Sequence, residues 1–282
     1  MVQPAGVESP RVESTDVDYS VQVRNLTKCY RIGHRRPRFV PRVGVTALRA
    51  CRLLPARHET KDVWALRDVS FTVARGTILG IIGPAGAGKT TLLRILARIT
   101  LPTSGRVIGR GRVVPLLGVE NVLNGDRSGR DNIMLCAALC GIPRVQIQRH
   151  VRDVIEFAGM GDVIDMPLRH LSSEMRLRLA FSVVMQAQPD ILLADEVVAL
   201  VDEEFRERFV ARLREASTSG TTTLIISKDV ATIARMCHQV LWMDAGRTVQ
   251  YGEPATVVSE YQRRRPEIGA SRNGGVKKGL RG

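Results

Sequence analysis

The 282-residue sequence predicts an α/β fold whose sheet is mostly parallel. Three observations support this prediction. Short apolar runs of strand length alternate with stretches of helical periodicity along most of the chain. A glycine-rich stretch at residues 83–91 lies between one apolar run and one helix. A second apolar run, at residues 191–194, ends in two consecutive carboxylates, Asp195 and Glu196.

The N-terminal half supplies the first strands in order. Residues 21–26 alternate apolar and polar side chains, as a half-buried strand does. Residues 64–73 also predict a strand, which is followed by a turn. Residues 78–82 are almost entirely apolar, which is typical of a buried strand. After a helix at residues 91–97, a further strand is predicted within residues 106–117.

The C-terminal half alternates helices and strands, which favours parallel neighbours in the sheet. Its predicted helices span residues 131–158 with a break at 141–143, then 175–188, 205–216 and 229–237. Its predicted strands span residues 191–194, 222–227, 240–243 and 248–251, the last two joined by a hairpin turn.

The glycine-rich stretch fits the phosphate-binding pattern G-x-x-x-x-G-K-[ST] and predicts a phosphate-loop nucleotidase core. Its residues are, in order, Gly83, Pro84, Ala85, Gly86, Ala87, Gly88, Lys89, Thr90 and Thr91. Glycine allows close approach of backbone N–H groups to a polyphosphate. Lys89 is then expected to reach the β- and γ-phosphates, and the Thr90 hydroxyl to bind Mg²⁺. The alternative, an ordinary strand–helix turn, is disfavoured by the strand before the loop and the helix after it.

The acidic pair supplies the second half of a phosphoryl-transfer site. Asp195, at the strand tip, is predicted to hold Mg²⁺, and Glu196 to polarise the attacking water. The alternative is a strand that ends in a solvated acidic turn. The phosphate loop in the same chain favours the functional interpretation.

The composition argues against a membrane-spanning protein and against a secreted one. A hydrophobic content of 44% supports a substantial core, and no apolar run approaches the roughly 18 residues of a spanning helix. The first 20 residues carry four carboxylates and no apolar core, so we expect no signal peptide. The five cysteines form no CxxC pair, which favours a reducing cytoplasm.

The net charge of +14 is concentrated in two segments. Residues 31–62 carry +7 and residues 263–282 carry +6, so the rest of the chain is almost neutral. This distribution argues against a nucleic-acid partner and favours an anionic membrane surface, with solvated charge as the alternative. Residues 44–54 could form a short interfacial helix. Residues 1–18 predict a disordered leader, and residues 263–282 a basic disordered tail.

From the first strand to residue 262, these motifs resemble the ATP-binding subunit of ABC transporters. The resemblance places Tyr30 at the adenine-stacking aromatic, and Ser172 and Ser173 in the signature loop that contacts ATP on an opposite subunit. It places Asp202 in the D-loop and Lys228 at the switch position, where it would meet the γ-phosphate. It therefore implies a dimer that binds ATP and Mg²⁺.

The resemblance also implies a domain plan. An ABC nucleotide-binding domain would span residues 19–262, with an antiparallel β subdomain beside the parallel core. A helical subdomain with the signature loop would be inserted at about residues 128–188, and the basic residues 31–62 would form a membrane-proximal insert.

Within the family the chain looks most like the polysaccharide-export subgroup, which exports O-antigen, teichoic acid and related glycans. The long insert, Ser128-Gly129-Arg130-Asp131-Asn132 and the Ser172-Ser173-x-Met175 signature carry this likeness. The subgroup implies separate membrane-spanning permease subunits and a second ATP-binding subunit, as a homodimer rather than a heterodimer. It implies a peripheral location on the cytoplasmic face of the membrane.

Three departures from the family pattern concern mechanism. Glu174 replaces a signature glycine, where a carboxylate should repel nucleotide unless it turns outward as a helix N-terminal acid. Lys228 replaces a histidine, and no clear Q-loop glutamine lies in residues 118–126, where Glu120 and Asn121 are the nearest candidates. Ala85 also replaces the usual asparagine of the phosphate loop.

These departures leave a second functional interpretation open. A weakly hydrolysing regulatory or heterodimer-partner subunit is the alternative to an active ATPase. A soluble ATPase that acts on nucleic acid or ribosomes is a third functional class.

Overall fold

The computed structural model describes residues 18–32, 61–117, 123–196 and 201–274. The strands are β1 (Tyr19–Ile32), β2 (Lys61–Ala74), β3 (Ile78–Ile82), β4 (Ser104–Gly109), β5 (Val113–Leu116), β6 (Ile191–Asp195), β7 (Thr222–Ile226), β8 (Gln239–Asp244) and β9 (Arg247–Gly252). The helices are α1 (Lys89–Leu96), α2 (Gly129–Leu139), α3 (Arg144–Ala158), α4 (Ser173–Gln186), α5 (Glu203–Thr218), α6 (Val230–Met236) and α7 (Pro254–Gly274).

The larger sheet has six strands in the order β5-β6-β7-β3-β8-β9. All neighbours in it are parallel except the β8–β9 hairpin, which confirms the predicted mostly parallel sheet. Strands β3 and β7 are buried along their whole length, because both faces of the sheet are covered. The hairpin turns through Ala245 and Gly246, whose φ angles of 46° and 78° suit a tight two-residue turn.

The smaller sheet is antiparallel and has the order β2-β1-β4. Its two long strands, β1 and β2, have 14 residues each and pair in register from Tyr19 opposite Ala74 to Ile32 opposite Lys61, with bulges between. This sheet is the antiparallel β subdomain that the resemblance implied. Its inner face carries Val21, Val23 and Leu26, which pack toward α1 and the larger sheet.

Two hydrophobic clusters lie on opposite faces of the larger sheet, and alternate residues of β3 separate them. Leu79 and Ile81 pack in the cluster shared with α1 and the antiparallel sheet. Ile78 and Ile82 pack in the cluster shared with the helices. This alternation follows from the two-residue period of a strand. It fixes the end of β3 between two packed layers, and the phosphate loop starts there.

Helices α2, α3 and α4 form the inserted helical subdomain. Ser128 caps α2 by accepting a hydrogen bond from the Asp131 N–H at 3.1 Å. Asn132 is fully buried and bonds the backbone of Asn124 and Ser128 with its side-chain amide. At Gly129, an added Cβ would lie 2.7 Å from the Ile164 side chain. The S-G-R-D-N stretch is therefore a helix start that joins α2 to the loops around it.

Several element boundaries differ from the sequence prediction. Helix α1 begins at Lys89 rather than residue 91, because Gly88 turns the chain directly into the helix. The region 106–117 holds parts of two strands, β4 and β5, that belong to different sheets. The basic insert contributes its ends to β1 and β2, which include residues 31–32 and 61–62.

The tail also differs from its prediction as a disordered segment from residue 263. Helix α7 continues to Gly274. Glu260 pairs with Arg263 and Arg264, and the Arg264 guanidinium lies 5.9 Å from the centroid of the Trp242 ring. The two ion pairs lie within α7 at helical spacing, and the Arg264–Trp242 contact joins the helix to β8, so both favour helix beyond residue 262. The predicted leader (1–18) apart from its last residue, the predicted interfacial helix (44–54) and residues 275–282 lie outside the described residues.

Candidate nucleotide site

The site residues gather at one edge of the larger sheet. The phosphate loop follows β3, which lies between β7 and β8, and Asp195 ends β6 on the far side of β7. Asp195 of β6 pairs with Ile226 of β7, and Ile226 pairs with Ile81 of β3, so the three strands end at the same level. The carboxyl ends of parallel strands meet at one edge, and ligands of open α/β sheets bind there.

The three glycines of the phosphate loop differ in what surrounds them. Gly83, Gly86 and Gly88 all have positive φ angles, of 144°, 75° and 96°. A Cβ on Gly83 would lie 2.1 Å from the Met243 carbonyl oxygen, and one on Gly88 would lie 2.2 Å from the Ala65 carbonyl oxygen. A Cβ on Gly86 would meet nothing within 4 Å. Two glycines are thus required by neighbouring backbone, and the third faces open space.

Lys89 spans the loop from its position at the start of α1. Its side chain is buried, and its Nζ donates to the carbonyl oxygens of Gly83 at 2.8 Å and Pro84 at 2.9 Å. Gly88, which precedes the helix, gives no side-chain cap to the first turn. Backbone N–H groups at a helix start and a lysine ammonium together suit a polyphosphate anion.

Asp195 and Thr90 supply oxygen donors for a cation beside the loop. Burial raises the pKa of Asp195, while a hydrogen bond from the Thr90 hydroxyl opposes that rise. Within the described residues the Asp195 Oδ1 atom is buried and has no hydrogen-bond partner. A buried carboxylate oxygen beside a hydroxyl matches the hard oxygen ligands that Mg²⁺ prefers. These residues therefore fit the predicted metal site.

Glu196 lies directly after Asp195 and turns away from the strand with a φ angle of 53°. Its N–H donates to the Ile226 carbonyl oxygen at 2.9 Å, which holds it against β7. Its Oε2 atom pairs with the Lys228 Nζ atom at 2.6 Å. The prediction aimed Lys228 at the γ-phosphate, whereas in the structure its ammonium contacts Glu196. The switch lysine and the expected base are one ion pair.

The signature and D-loop residues begin two helices. Ser172 caps α4 by accepting a hydrogen bond from the Met175 N–H at 3.1 Å, and Ser173 starts that helix; both serines are exposed. Asp202 caps α5 by accepting from the Phe205 N–H at 2.8 Å. Polar side chains at these positions satisfy N–H groups that a helix start leaves open.

Glu174 does not stand free in the signature loop, as its predicted repulsion of nucleotide would require. Its Oε1 atom accepts hydrogen bonds from the Arg178 guanidinium and from the Asp202 N–H, the latter at 2.9 Å. Glu174 is a helix N-terminal acid, as the alternative prediction states, but it bonds Arg178 and the start of α5 instead of turning outward. The four-residue spacing of Glu174 and Arg178 on one helix was the signal that could have revealed the bond to Arg178.

Tyr30 lies in the antiparallel sheet, opposite Val63 near the end of β1. Its ring is half-buried, with the Lys28 Nζ atom 4.9 Å from the ring centroid. Its stacking on adenine stays a prediction. The Q-loop candidates Glu120 and Asn121, and residues 197–200 before Asp202, lie outside the described residues.

A phosphate loop, a half-buried aspartate and a glutamate at the carboxyl edge of a parallel sheet define a phosphate-loop nucleotide-binding protein. The comparisons with known proteins narrow this class. The ABC transporter family model matches residues 66–199. The chain belongs to the ABC transporter family, as one of its ATP-binding subunits. This confirms the predicted resemblance.

Two relatives and one solved structure illustrate the match. The O-antigen export system ATP-binding protein RfbB of Klebsiella pneumoniae is 35% identical over 242 residues, which cover 86% of this chain and 97% of the relative. The teichoic acids export ATP-binding protein TagH of Lactococcus lactis is 36% identical over 72% of this chain and 43% of the relative. A solved ATP-binding subunit of an ABC transporter superposes with a TM-score of 0.67 at 18% identity, covering 86% of this chain and 93% of that one.

The fold agrees with that of other ABC cassettes, as the structural match shows. Among residues 18–32, 61–117, 123–196 and 201–274, no helix combines the length and the apolar character needed to cross a membrane.

Proposed function

We propose that this chain is the ATPase subunit that powers export of an O-antigen-like polysaccharide or a related glycan across the cytoplasmic membrane. The observation that carries the proposal is the intact arrangement of Lys89, Thr90, Asp195 and Glu196 at one sheet edge. The similarity to an O-antigen export ATP-binding protein along 97% of that protein's length supports the substrate class.

The chain's own residues divide the chemistry between binding and proton transfer. The loop from Gly83 to Thr91 binds the ATP phosphates through backbone N–H groups and Lys89. Thr90 and Asp195 would hold Mg²⁺, which would supply positive charge to neutralise the phosphates. Glu196 accepts the proton of the attacking water, and Lys228 orients that carboxylate through their 2.6 Å ion pair.

The partners follow from the same proposal. Separate membrane-spanning permease subunits would receive the movement, and a second copy of this chain would complete each ATP site. Ser172, Ser173 and Asp202 would then face the nucleotide held by the partner, and Tyr30 would stack on the adenine held by its own chain. The basic residues 31–62 suit contact with an anionic membrane surface at the cytoplasmic face.

The test is ATP turnover and glycan transport by the complex reconstituted with its permease. Glu196→Gln should lower turnover by about a thousandfold and stop transport while ATP binding persists, since only the proton acceptor is lost. Glu207→Gln, the same change at an exposed position on α5, serves as the matched control and should leave both unchanged. Unchanged turnover in Glu196→Gln would contradict the assigned role.

The oligomer is tested by affinity capture from solubilised membranes. The proposal expects a membrane-spanning subunit and no second kind of ATP-binding chain, which is the composition of a homodimer. Capture of a different ATP-binding chain would contradict the homodimer and indicate a heterodimer. Capture of nucleic acid in place of a permease would contradict the transporter function.

A further inference from the structure

Glu174 connects α4 and α5, two helices that strand β6 separates along the chain. Its Oε1 atom accepts a hydrogen bond from Arg178 on the same helix, α4, and another from the Asp202 N–H at the start of α5. The Arg178 Nη2 atom also donates to the Asp202 carboxylate. We call these three residues, Glu174, Arg178 and Asp202, the acid–arginine link.

The link is held in place by packing as well as by charge. The Arg178 side chain is only 17% exposed, and its guanidinium lies 5.3 Å from the centroid of the buried Phe205 ring. Packing against a ring keeps a guanidinium in one orientation. Hydrogen bonds from Arg178 and from the Asp202 N–H lower the pKa of Glu174 below its ordinary value, because both favour the ionised carboxylate.

Glu174 lies in the first turn of α4 and Asp202 is the N-cap of α5, so the link joins two helix starts into one unit. Asp202 caps α5 through the Phe205 N–H, and Ser172 caps α4 only two residues before Glu174. A shift of one helix start would therefore break bonds at the other. The carboxylate that replaces the usual glycine is engaged inside the chain, and Arg178 offsets its charge.

We propose that Glu174 is a positioning residue: through Arg178 and the Asp202 N–H it holds the starts of α4 and α5 together as one surface that meets the nucleotide of the second subunit. This inference rests on the proposed function for the role of that surface. The link itself is a property of the single chain, so it can be tested without ATP or a partner.

The first experiment measures amide hydrogen exchange in the full-length chain without nucleotide. Glu174→Ala removes both acceptor bonds and should speed exchange of the Asp202 amide and of the first turn of α5 about tenfold, as expected for a lost charged hydrogen bond. Asp202→Ser keeps a good helix cap but loses the bond to Arg178, and should speed exchange at residues 173–176. Unchanged exchange in both variants would overturn the link.

Glu215→Gln is the matched control, because it removes a carboxylate from an ion pair with Arg212 that lies within α5. Exchange at the starts of α4 and α5 should be the same in Glu215→Gln and in the wild type. Equal acceleration in the control would mean that any lost surface charge loosens α5, which would overturn a specific link.

The second experiment separates positioning from folding in the permease complex. Glu174→Ala should leave the ATP affinity of the isolated chain unchanged and lower kcat of the complex about tenfold, because the phosphate loop is intact while the opposing surface is loose. Glu174→Gln, whose amide oxygen can still accept from the Asp202 N–H, should recover part of kcat. An unchanged kcat alongside accelerated exchange would overturn the positioning role.

The two proposals fail in different ways. A wild-type complex that neither hydrolyses ATP nor transports glycan would contradict the proposed function, while the exchange measurements would still decide the link. Normal turnover in the wild type with unaltered exchange in Glu174→Ala would overturn only the link.

Discussion

The phosphate-loop half of the cassette and its signature half are built by different means. In the first half, the parallel sheet places the loop and Asp195 at one edge, and backbone clashes select glycine at Gly83 and Gly88. In the second half, side-chain bonds among Glu174, Arg178 and Asp202 join two helix starts. Motif patterns therefore describe the first half well, whereas the second half is understood only from its contacts.

The largest effect should come from the phosphate-loop half. Lys89→Ala removes the ammonium that spans the loop and should lower turnover about a thousandfold, because a preorganised charge at the phosphates is lost. ATP affinity, measured by calorimetry on the isolated chain, should fall with it. Retained affinity would mean that the backbone alone binds the phosphates.

The glycines offer a matched pair within the same loop. Gly88→Ala forces a Cβ to within 2.2 Å of the Ala65 carbonyl oxygen and should destabilise the fold by about 3 kcal/mol. Gly86→Ala has a similar positive φ but open space around its Cβ, and should cost about 1 kcal/mol. Urea unfolding measures both. Equal losses would show that φ strain alone governs the loop.

Lys228 has one role implied by the family resemblance, a contact with the γ-phosphate, and another contact in the structure, its ion pair with Glu196. Lys228→Ala should lower kcat about tenfold, since Glu196 loses the partner that orients it, with ATP affinity unchanged. Lys228→Arg, which keeps the charge, should lose less. An ATP affinity that falls while kcat holds would instead assign Lys228 to the phosphates.

The smallest effect concerns acid stability of the signature half. Hydrogen bonds from Arg178 and from the Asp202 N–H lower the pKa of Glu174 below its ordinary 4.5, and a hydrogen bond from the Phe205 N–H lowers the pKa of Asp202 below 3.8. A lowered carboxylate pKa stabilises the fold above the ordinary value, and this stabilisation is lost as pH falls through the lowered one.

The lowered pKa of Glu174 predicts that the stability difference between the wild type and Glu174→Gln depends on pH. The advantage of the wild type over Glu174→Gln in urea unfolding should be constant from neutral pH down to about pH 5 and should shrink in more acid solution. An advantage that grows as the pH falls would contradict the ion pair. The exposed Glu215→Gln variant again provides the baseline.

Much of the fold was predictable because strands and helices carry their own periodicity. The sheet core, the loop and Asp195–Glu196 follow from apolar runs and a known phosphate pattern. The continuation of α7 past Gln262 did not, because the Arg- and Gly-rich composition indicates disorder, and the contact of Arg264 with Trp242 is a tertiary one that composition does not reveal. The bonding of Glu174 to the start of α5 was hidden for the same reason.

The separation of residues 106–117 into two strands shows the same limit. Strand β4 pairs with β1, and strand β5 pairs with β6, so neighbouring segments enter different sheets. Local propensity predicts that a strand exists but not which partner it takes. The site residues were found because their chemistry demands a pattern, and their partners were not found because pairing is a tertiary property.

One measurement tests the central claim that Glu174 and Lys228 are working parts of this cassette and not defects. ATP turnover of the purified permease complex is compared between the wild type and the double variant Glu174→Gly with Lys228→His, which installs the residues usual in the family. Turnover should be lower in the double variant, because the acid–arginine link and the Glu196–Lys228 pair are both removed. Turnover above the wild type would contradict the central claim and support the weakly hydrolysing alternative.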